Sequence, residues 1–326
     1  MRILVTGGCG FIGSNFIRLL LRKYRDISVL NLDKLTYCGN PDNLRDVEKD
    51  ERYSFVKGDI GDDSLVSELA EETDAIVNFA AETHVDRSIK YPDDFILTNV
   101  KGVRTVLDAA RRTGVGKVVQ IGTDEVYGSV DTGLSREGDK LEPNSPYSAT
   151  KAAGDLLALS YYRTFGLDVT VVRSSNNFGP YQYPEKAIPL FITNLLDGGK
   201  VPLYGDGLNV RDWLYVEDNC EAIDLVLRKG GAGEIYNVGG GTRLTNLELT
   251  SRILSAAGKD NSSIEYVNDR PGHDRRYALD STKITEDLGW RGSGEFTRNL
   301  ERTIDWYRSN ASWWRPLKEK AEIIEW

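Results

Sequence analysis

The chain has 326 residues, with 41 Lys and Arg against 50 Asp and Glu and a formal charge of −9. At roughly 150 residues per domain this length suggests about two domains around a sizeable core, and the acidic balance excludes a nucleic-acid backbone or an anionic membrane as the main partner. Cys9, Cys38 and Cys220 are too few and too widely spaced for a disulfide framework or a zinc motif and fit a reducing cytoplasm; His84 and His273, with no carboxylate cluster at ligand spacing, give no metal site.

The opening run MRILVTGG is too short for a signal peptide and meets glycines at once, so it reads as a first strand. No apolar segment approaches the ~20 residues of a bilayer span. β-rich runs recur from Arg2, Ser28, Tyr53, Ala75, Lys117 and Asp168, separated by helix-length segments such as those from Ser14 and from Asn99. This alternation predicts an α/β fold, a Rossmann-type doubly wound parallel sheet covered on both faces. After about Ser174 prolines, glycines and polar loops take over, which predicts a smaller, mixed α/β C-terminal domain. The expected division is 1–174 for the first domain, rejoined by about 211–238, with about 175–210 and 239–326 forming the second. The aromatic tail, Trp306, Trp313, Trp314 and Trp326, reads as packing, with a dimer contact as the alternative.

Gly7, Gly10 and Gly13 fall at G-x-x-G-x-x-G spacing between the first strand and the first helix, where backbone N–H groups can approach a pyrophosphate. Asp33 ends the second strand, 20 residues after Gly13, where a carboxylate can bind adenosine ribose hydroxyls and repel a 2′-phosphate, so NAD is expected rather than NADP. Asp59 and Ile60, closing the third strand, are candidates for the adenine side.

In PYSATK, Tyr147 and Lys151 are four residues apart and share one helix face. Behind a dinucleotide motif they suggest a redox pair, in which Lys151 and a nicotinamide cation lower the phenol of Tyr147 below ~10 so that it can take a proton from an alcohol. In IGTDEVYG, Thr123, Asp124 and Glu125 follow an apolar run directly and add two proton-transfer groups at a strand end. A diphosphate needs cations in so acidic a chain, and Lys186, Arg211, Arg270, His273 and Arg276 lie in the polar segments of the second region. Arg211 and Arg270 lead, because a guanidinium binds phosphate bidentately.

TDEVYG, AAETHVDRS, NLDKLTYCGN, SSNNFGPYQYPEK and RPGHDRRYA, in this order, resemble the extended short-chain dehydrogenase/reductase family over nearly the whole chain, and within it the enzymes that dehydrate nucleotide sugars. The resemblance implies bound NAD, a nucleotide sugar as substrate (a dTDP-linked glucose ahead of a UDP-linked one) and a homodimer. It assigns Thr123, Asp124, Glu125, Tyr147 and Lys151 to catalysis, with Asp124 as acid and Glu125 as base. Phe11, Ile12, Lys34, Leu35, Thr36, Ala80, Ala81, Thr98 and Asn177 join the glycines, Asp33, Asp59 and Ile60 as cofactor positions. Thr83, Thr123, Asn176, Lys186, Ala187, Pro202, Tyr204, Arg211, Asn246, Arg270 and His273 become substrate positions. Gly122 and Thr83 stand where the family commonly has Ser. The dimer would pair the helices carrying Asn99 and Tyr147, with Leu156, Leu159 and Tyr162 as contacts or, alternatively, as core. A nucleotide-sugar 4-epimerase is the nearest rival, and a non-catalytic NAD-binding sensor the more distant one.

Overall fold

The computed structural model describes residues 1–321, so Trp326 lies outside the described residues. Strand and helix alternate as expected through β1 (Arg2–Thr6), α1 (Phe11–Lys23), β2 (Ser28–Asp33), β3 (Tyr53–Lys57), α2 (Asp63–Glu71), β4 (Ala75–Asn78), α3 (Val85–Lys90), α4 (Pro92–Ile96), α5 (Val103–Thr113), β5 (Lys117–Thr123), α6 (Pro146–Phe165) and β6 (Val169–Ser174). All of these strands pair in parallel. Apart from the edge strand β3, where Ser54, Phe55 and Lys57 are exposed, they are buried along nearly their whole length because both faces of the sheet are covered. Along β1, Ile3 and Val5 pack with Phe16 and Ile17 of α1, while Leu4 between them packs with Val106 and Leu107 of α5.

The helix expected from Asn99 starts earlier in space. α4 runs into a π-helical turn over Leu97–Gly102 that leads directly into α5. This turn brings Asn99 against the chain after β4, where its Oδ1 accepts from the Glu82 N–H at 2.9 Å and its Nδ2 donates to the Glu82 carbonyl at 3.0 Å. α6 opens with a capping box between Ser145 and Ser148 and Pro146 in its first turn, which fixes where Tyr147 and Lys151 emerge. On the same helix Leu159 is 7% exposed and packs into the sheet core, so it is a core residue and not an interface one, whereas Leu156 is 56% exposed.

The remaining elements are β7 (Asn176–Phe178), α7 (Ala187–Leu196), β8 (Val201–Tyr204), β9 (Val210–Tyr215), α8 (Val216–Lys229), β10 (Ile235–Val238), β11 (Thr242–Thr245), α9 (Asn246–Ala256), β12 (Ile264–Val267), α10 (Thr282–Leu288), α11 (Phe296–Ser309) and α12 (Ala311–Lys320). The segment 211–238 divides between two structures. Its strand β9 sits between β11 and β7 in a small sheet, whereas α8 packs on α1 and β10 takes the edge of the large sheet. The seven-stranded order is β10-β6-β5-β4-β1-β2-β3, so the direction of winding reverses between β1 and β4. At such a switch point the loops leaving the carboxyl ends of the strands diverge and open a crevice. A second core, with Phe178, Phe191, Trp213, Leu249, Tyr307 and Trp314, holds the small sheet against α7, α9, α11 and α12. Among the described residues no helix is long and apolar enough to cross a membrane.

Candidate active site

A cavity of about 300 Å³ follows the switch point, lined by the turn after β1, the ends of β2 to β5, the start of α6 and the chain after β6. Its first wall is mostly backbone. Gly7 has φ of 68°, and a Cβ there would stand 2.7 Å from the Ala80 N of the neighbouring β4 turn. A Cβ on Gly13 would meet the Gly7 carbonyl at 2.5 Å. Gly10 caps α1 without a side-chain hydrogen bond, and the first-turn residues Phe11, Ile12 and Gly13 line the cavity, so their free N–H groups and the positive end of α1 face a ligand. Asp33 is fixed at the bottom: its Oδ2 accepts from the Cys9 N–H at 2.9 Å and its Oδ1 from the Leu35 N–H at 2.8 Å. Lys34 pairs with Asp59 at 2.8 Å across the cavity rim. Thr36, Ile60, Ala80, Ala81, Thr98 and Asn177 also line the cavity; Leu35 does not, and contributes through its N–H to Asp33.

Three features meet where β5 ends. Lys151 Nζ, buried, donates to the Ile121 carbonyl. The Thr123 hydroxyl, which acts downward on the phenol of Tyr147, donates to Asp124 Oδ1 at 3.3 Å, and Thr123 also caps the short 3₁₀ turn carrying Asp124 and Glu125. The two carboxyls differ in surroundings. Asp124 is held well above the ordinary carboxylate range by burial, then by Glu125 and Asp212, and its Oδ2 has no hydrogen-bond partner. Burial also raises Glu125, but Arg270, Arg211 and Lys186 oppose that rise. The expectation of a lowered Tyr147 is reversed in the chain by itself: burial first, then the negative charge of Glu125, raises the phenol, and among its principal influences only Thr123 acts downward. Burial also depresses Lys151, with Asp155 opposing.

The expected substrate positions fall into two groups. Thr83, Thr123, Asn176 and Lys186 line the cavity itself. Arg211 and Arg270 arrive from β9 and from the loop after β12, and the charge of each acts on Glu125. Arg211 is oriented by the carbonyls of Val210 at 2.8 Å and Asp274 at 2.9 Å and lies over the Tyr277 ring, while Arg270 pairs with Asp86 at 3.1 Å. His273 meets the ring of Tyr204 edge-on and hydrogen-bonds Asp269; burial and the neighbouring arginines push it down to about 4, so it is neutral near pH 7. Ala187 and Asn246 open α7 and α9 and Pro202 lies on β8; these three, like Tyr204, Arg211, Arg270 and His273, are not among the residues that line the cavity.

Several lining residues had no expectation attached. Tyr37 donates to Glu185 Oε1 at 2.9 Å, and Tyr181, Gln182 and Tyr183 form a strip of wall beside them. The only signal for that strip was its place inside PYQYPEK.

Comparison with known proteins gives a consistent picture. The model of the GDP-mannose 4,6-dehydratase family matches residues 4–303. A dTDP-glucose 4,6-dehydratase of Streptomyces antibioticus is 55% identical over 98% of this chain and 96% of its own length. A dTDP-glucose 4,6-dehydratase of Streptomyces venezuelae, solved with NAD bound, superposes with a TM-score of 0.95 at 55% identity over 97% of this chain and 100% of the other. A UDP-glucuronic acid 4-epimerase of Bacillus cereus, in complex with UDP-glucuronic acid and NAD, reaches a TM-score of 0.90 at 27% identity, over 95% and 99% of the two chains.

Proposed function

Because the chain belongs to the GDP-mannose 4,6-dehydratase family, we propose that it is an NAD-dependent lyase converting dTDP-glucose to dTDP-4-keto-6-deoxyglucose and water, in a reducing cytoplasm. The observation that carries this function is the pair of carboxyls at the end of β5, adjacent in sequence and both raised by burial, with negative neighbours adding to the rise at Asp124 and three cations opposing it at Glu125. An epimerase shares the fold and the hydride chemistry but has no use for two further proton-transfer groups.

The first wall fits NAD: the glycine cradle leaves no room for a Cβ, and Asp33 lines the cavity with both oxygens already oriented by backbone N–H groups. Held by the glycine turn and Asp33, NAD would supply a hydride acceptor for carbon 4 of the sugar and afterwards a hydride donor for carbon 6. Tyr147, beside Thr123, takes the proton of the carbon 4 hydroxyl as its phenolate, the phenol's own proton having gone to solvent; the cation that NAD would bring opposes the burial that raises the phenol in the chain by itself. Lys151 places a cation under the end of β5 through its bond to the Ile121 carbonyl. With a ketone at carbon 4 the proton on carbon 5 is acidic, and Glu125, kept ionisable by three cations, removes it. Asp124, held protonated, gives its proton to the hydroxyl leaving carbon 6, and that hydroxyl departs as water. Arg211 and Arg270 bind the diphosphate from the second wall.

The test is a reaction in deuterated water. Product should carry deuterium at carbon 5, and hydrogen that began on carbon 4 should appear on carbon 6 of the same molecule. A product isomeric with the substrate would identify an epimerase, and faster turnover of UDP-glucose would identify the uridine enzyme. A homodimer is part of the proposal, with Leu156 joined by Ile96 and Leu97, each at least half exposed on the neighbouring α4 and π-turn. A monomer mass by light scattering would remove that part.

A further inference from the structure

Three consecutive residues of the cavity wall are each tied to the C-terminal helices. The ring of Tyr181 packs against Trp306 of α11 at 4.6 Å and Trp313 of α12 at 5.7 Å between centroids. The Gln182 carbonyl accepts from the Tyr307 hydroxyl, and the Tyr183 hydroxyl donates to the Leu317 carbonyl at 3.2 Å. Tyr181 also has φ of 68°, in the left-handed region that disfavours a residue with a Cβ. Such a conformation persists only where the surroundings over-determine it.

The same helix reaches the opposite wall. Trp313 Nε1 donates to Asn43 Oδ1 at 2.9 Å, and Asn43 Nδ2 donates to the carbonyl of Cys9 at 2.9 Å, inside the glycine turn. Arg18 of α1 closes the circuit: its guanidinium lies 3.9 Å above the Tyr181 ring and donates to the Asn43 carbonyl. Trp314, the next residue, contrasts with Trp313. It is 1% exposed in the second core and donates to the Tyr307 carbonyl, away from the cavity.

We infer that Trp313 and Tyr181 form a clasp that ties the wall at 181–183 to the glycine turn and sets how slowly NAD leaves. Both are positioning residues, and the inference rests on the proposed NAD-dependent cycle. That cycle needs one dinucleotide at its start and at its end, so a wall that opens slowly keeps the two half-reactions together. The clasp is built of large aromatic contacts around a strained residue, and the strain makes the wall dependent on them.

The experiment measures release of bound NAD from the purified full-length enzyme after dilution, by desalting at intervals and quantifying retained nucleotide. Trp313→Ala should release NAD about tenfold faster than wild type, the ratio set by losing one or two aromatic contacts, and saturating added NAD should restore its kcat. Asp197→Ala is the control. It breaks the ion pairs of Arg315 at 3.2 Å and Lys318 at 3.1 Å that hold α12 to the end of α7, and leaves the clasp rings in place. Its release rate should stay near that of wild type. Unchanged release in Trp313→Ala, or equal acceleration in Asp197→Ala, would overturn the clasp. Should Trp313→Ala fail to fold, Trp313→Phe decides: it keeps a ring and loses the bond to Asn43, so release as slow as wild type overturns the inference and faster release supports it. A wild-type enzyme that purifies without NAD would instead count against the cofactor, and the clasp would fall with it.

Discussion

The two walls of the cleft offer the ligands proposed for them different physics. The wall formed by the ends of β1, β2 and β4 works through backbone: glycines that exclude a Cβ, the unpaired N–H groups of α1, and one carboxylate clamped by two peptide groups. The facing wall works through long charged side chains. Lys186, Arg211 and Arg270 come from three separate segments, and each is aimed by a carbonyl or carboxylate from elsewhere in the chain. A backbone site depends on local geometry and barely senses charge in its neighbours. A site of converging cations also tunes every carboxyl within reach, so substrate binding and proton transfer are coupled on that side.

Glu125→Gln and Asp124→Asn should separate the walls most sharply. Each should slow dehydration by about 10²–10⁴-fold, as expected for a lost general base or acid, while retained NAD stays at the wild-type level. Single-turnover product analysis with nucleotide quantification checks both halves, and loss of NAD in either variant would break the distinction.

Gly13→Ala attacks the other wall. The added methyl meets the Gly7 carbonyl, so NAD affinity should fall about 10–100-fold, the cost of a forced clash of 1–3 kcal/mol. Calorimetry with a nucleotide sugar should show the wall of cations still binding its ligand.

Arg270→Ala tests the coupling. KM for the nucleotide sugar should rise about tenfold for one lost charge-assisted contact. Because Arg270 lowers Glu125, its removal leaves Glu125 higher, and a base must be ionised to act. The acidic limb of the pH–rate profile should therefore move to higher pH. An unmoved limb would uncouple binding from proton transfer.

The smallest effect is on stability. Asp124 is raised in the folded chain, so the folded state keeps a proton that the unfolded chain has lost. The stability this confers is complete below the unfolded value of ~4 and is lost as pH rises through the folded value. Asp124→Asn removes the titration and should be more stable than wild type at pH 8 by about 1 kcal/mol, a typical gain where an active-site strain is relieved. Melting curves at pH 8 and pH 4 check this, since the gap should close at pH 4.

How much of this was legible in advance follows the same division. The glycine spacing, Asp33, the Tyr147 and Lys151 pair and the TDE turn are local patterns, and all of them meet at one cavity. Arg211 and Arg270 were legible only as residue types able to bind phosphate; nothing in their spacing aims them at Glu125. The strip Tyr181–Tyr183 was invisible as a wall, because its partners lie more than a hundred positions away in α11 and α12. The expected lowering of Tyr147 drew on Lys151 together with a nicotinamide cation; in the chain by itself burial and Glu125 raise the phenol, and Lys151 is engaged by the Ile121 carbonyl.

Sequence by itself determined strands β1 to β6, since the inner strands of a doubly covered parallel sheet demand apolar runs whatever their partners, and it determined the cofactor turn, since absent side chains act through their own backbone. Tertiary structure alone decided three further matters: that β9 leaves the large sheet while β10 joins it, that Leu159 faces the core, and that Asp124 and Glu125 differ. The physical reason is range. Pairing order, burial and the electrostatic field at a carboxyl are sums over groups distant in the chain, and two adjacent buried acids acquire different chemistry only when the fold brings further negative charge to one and more cations to the other.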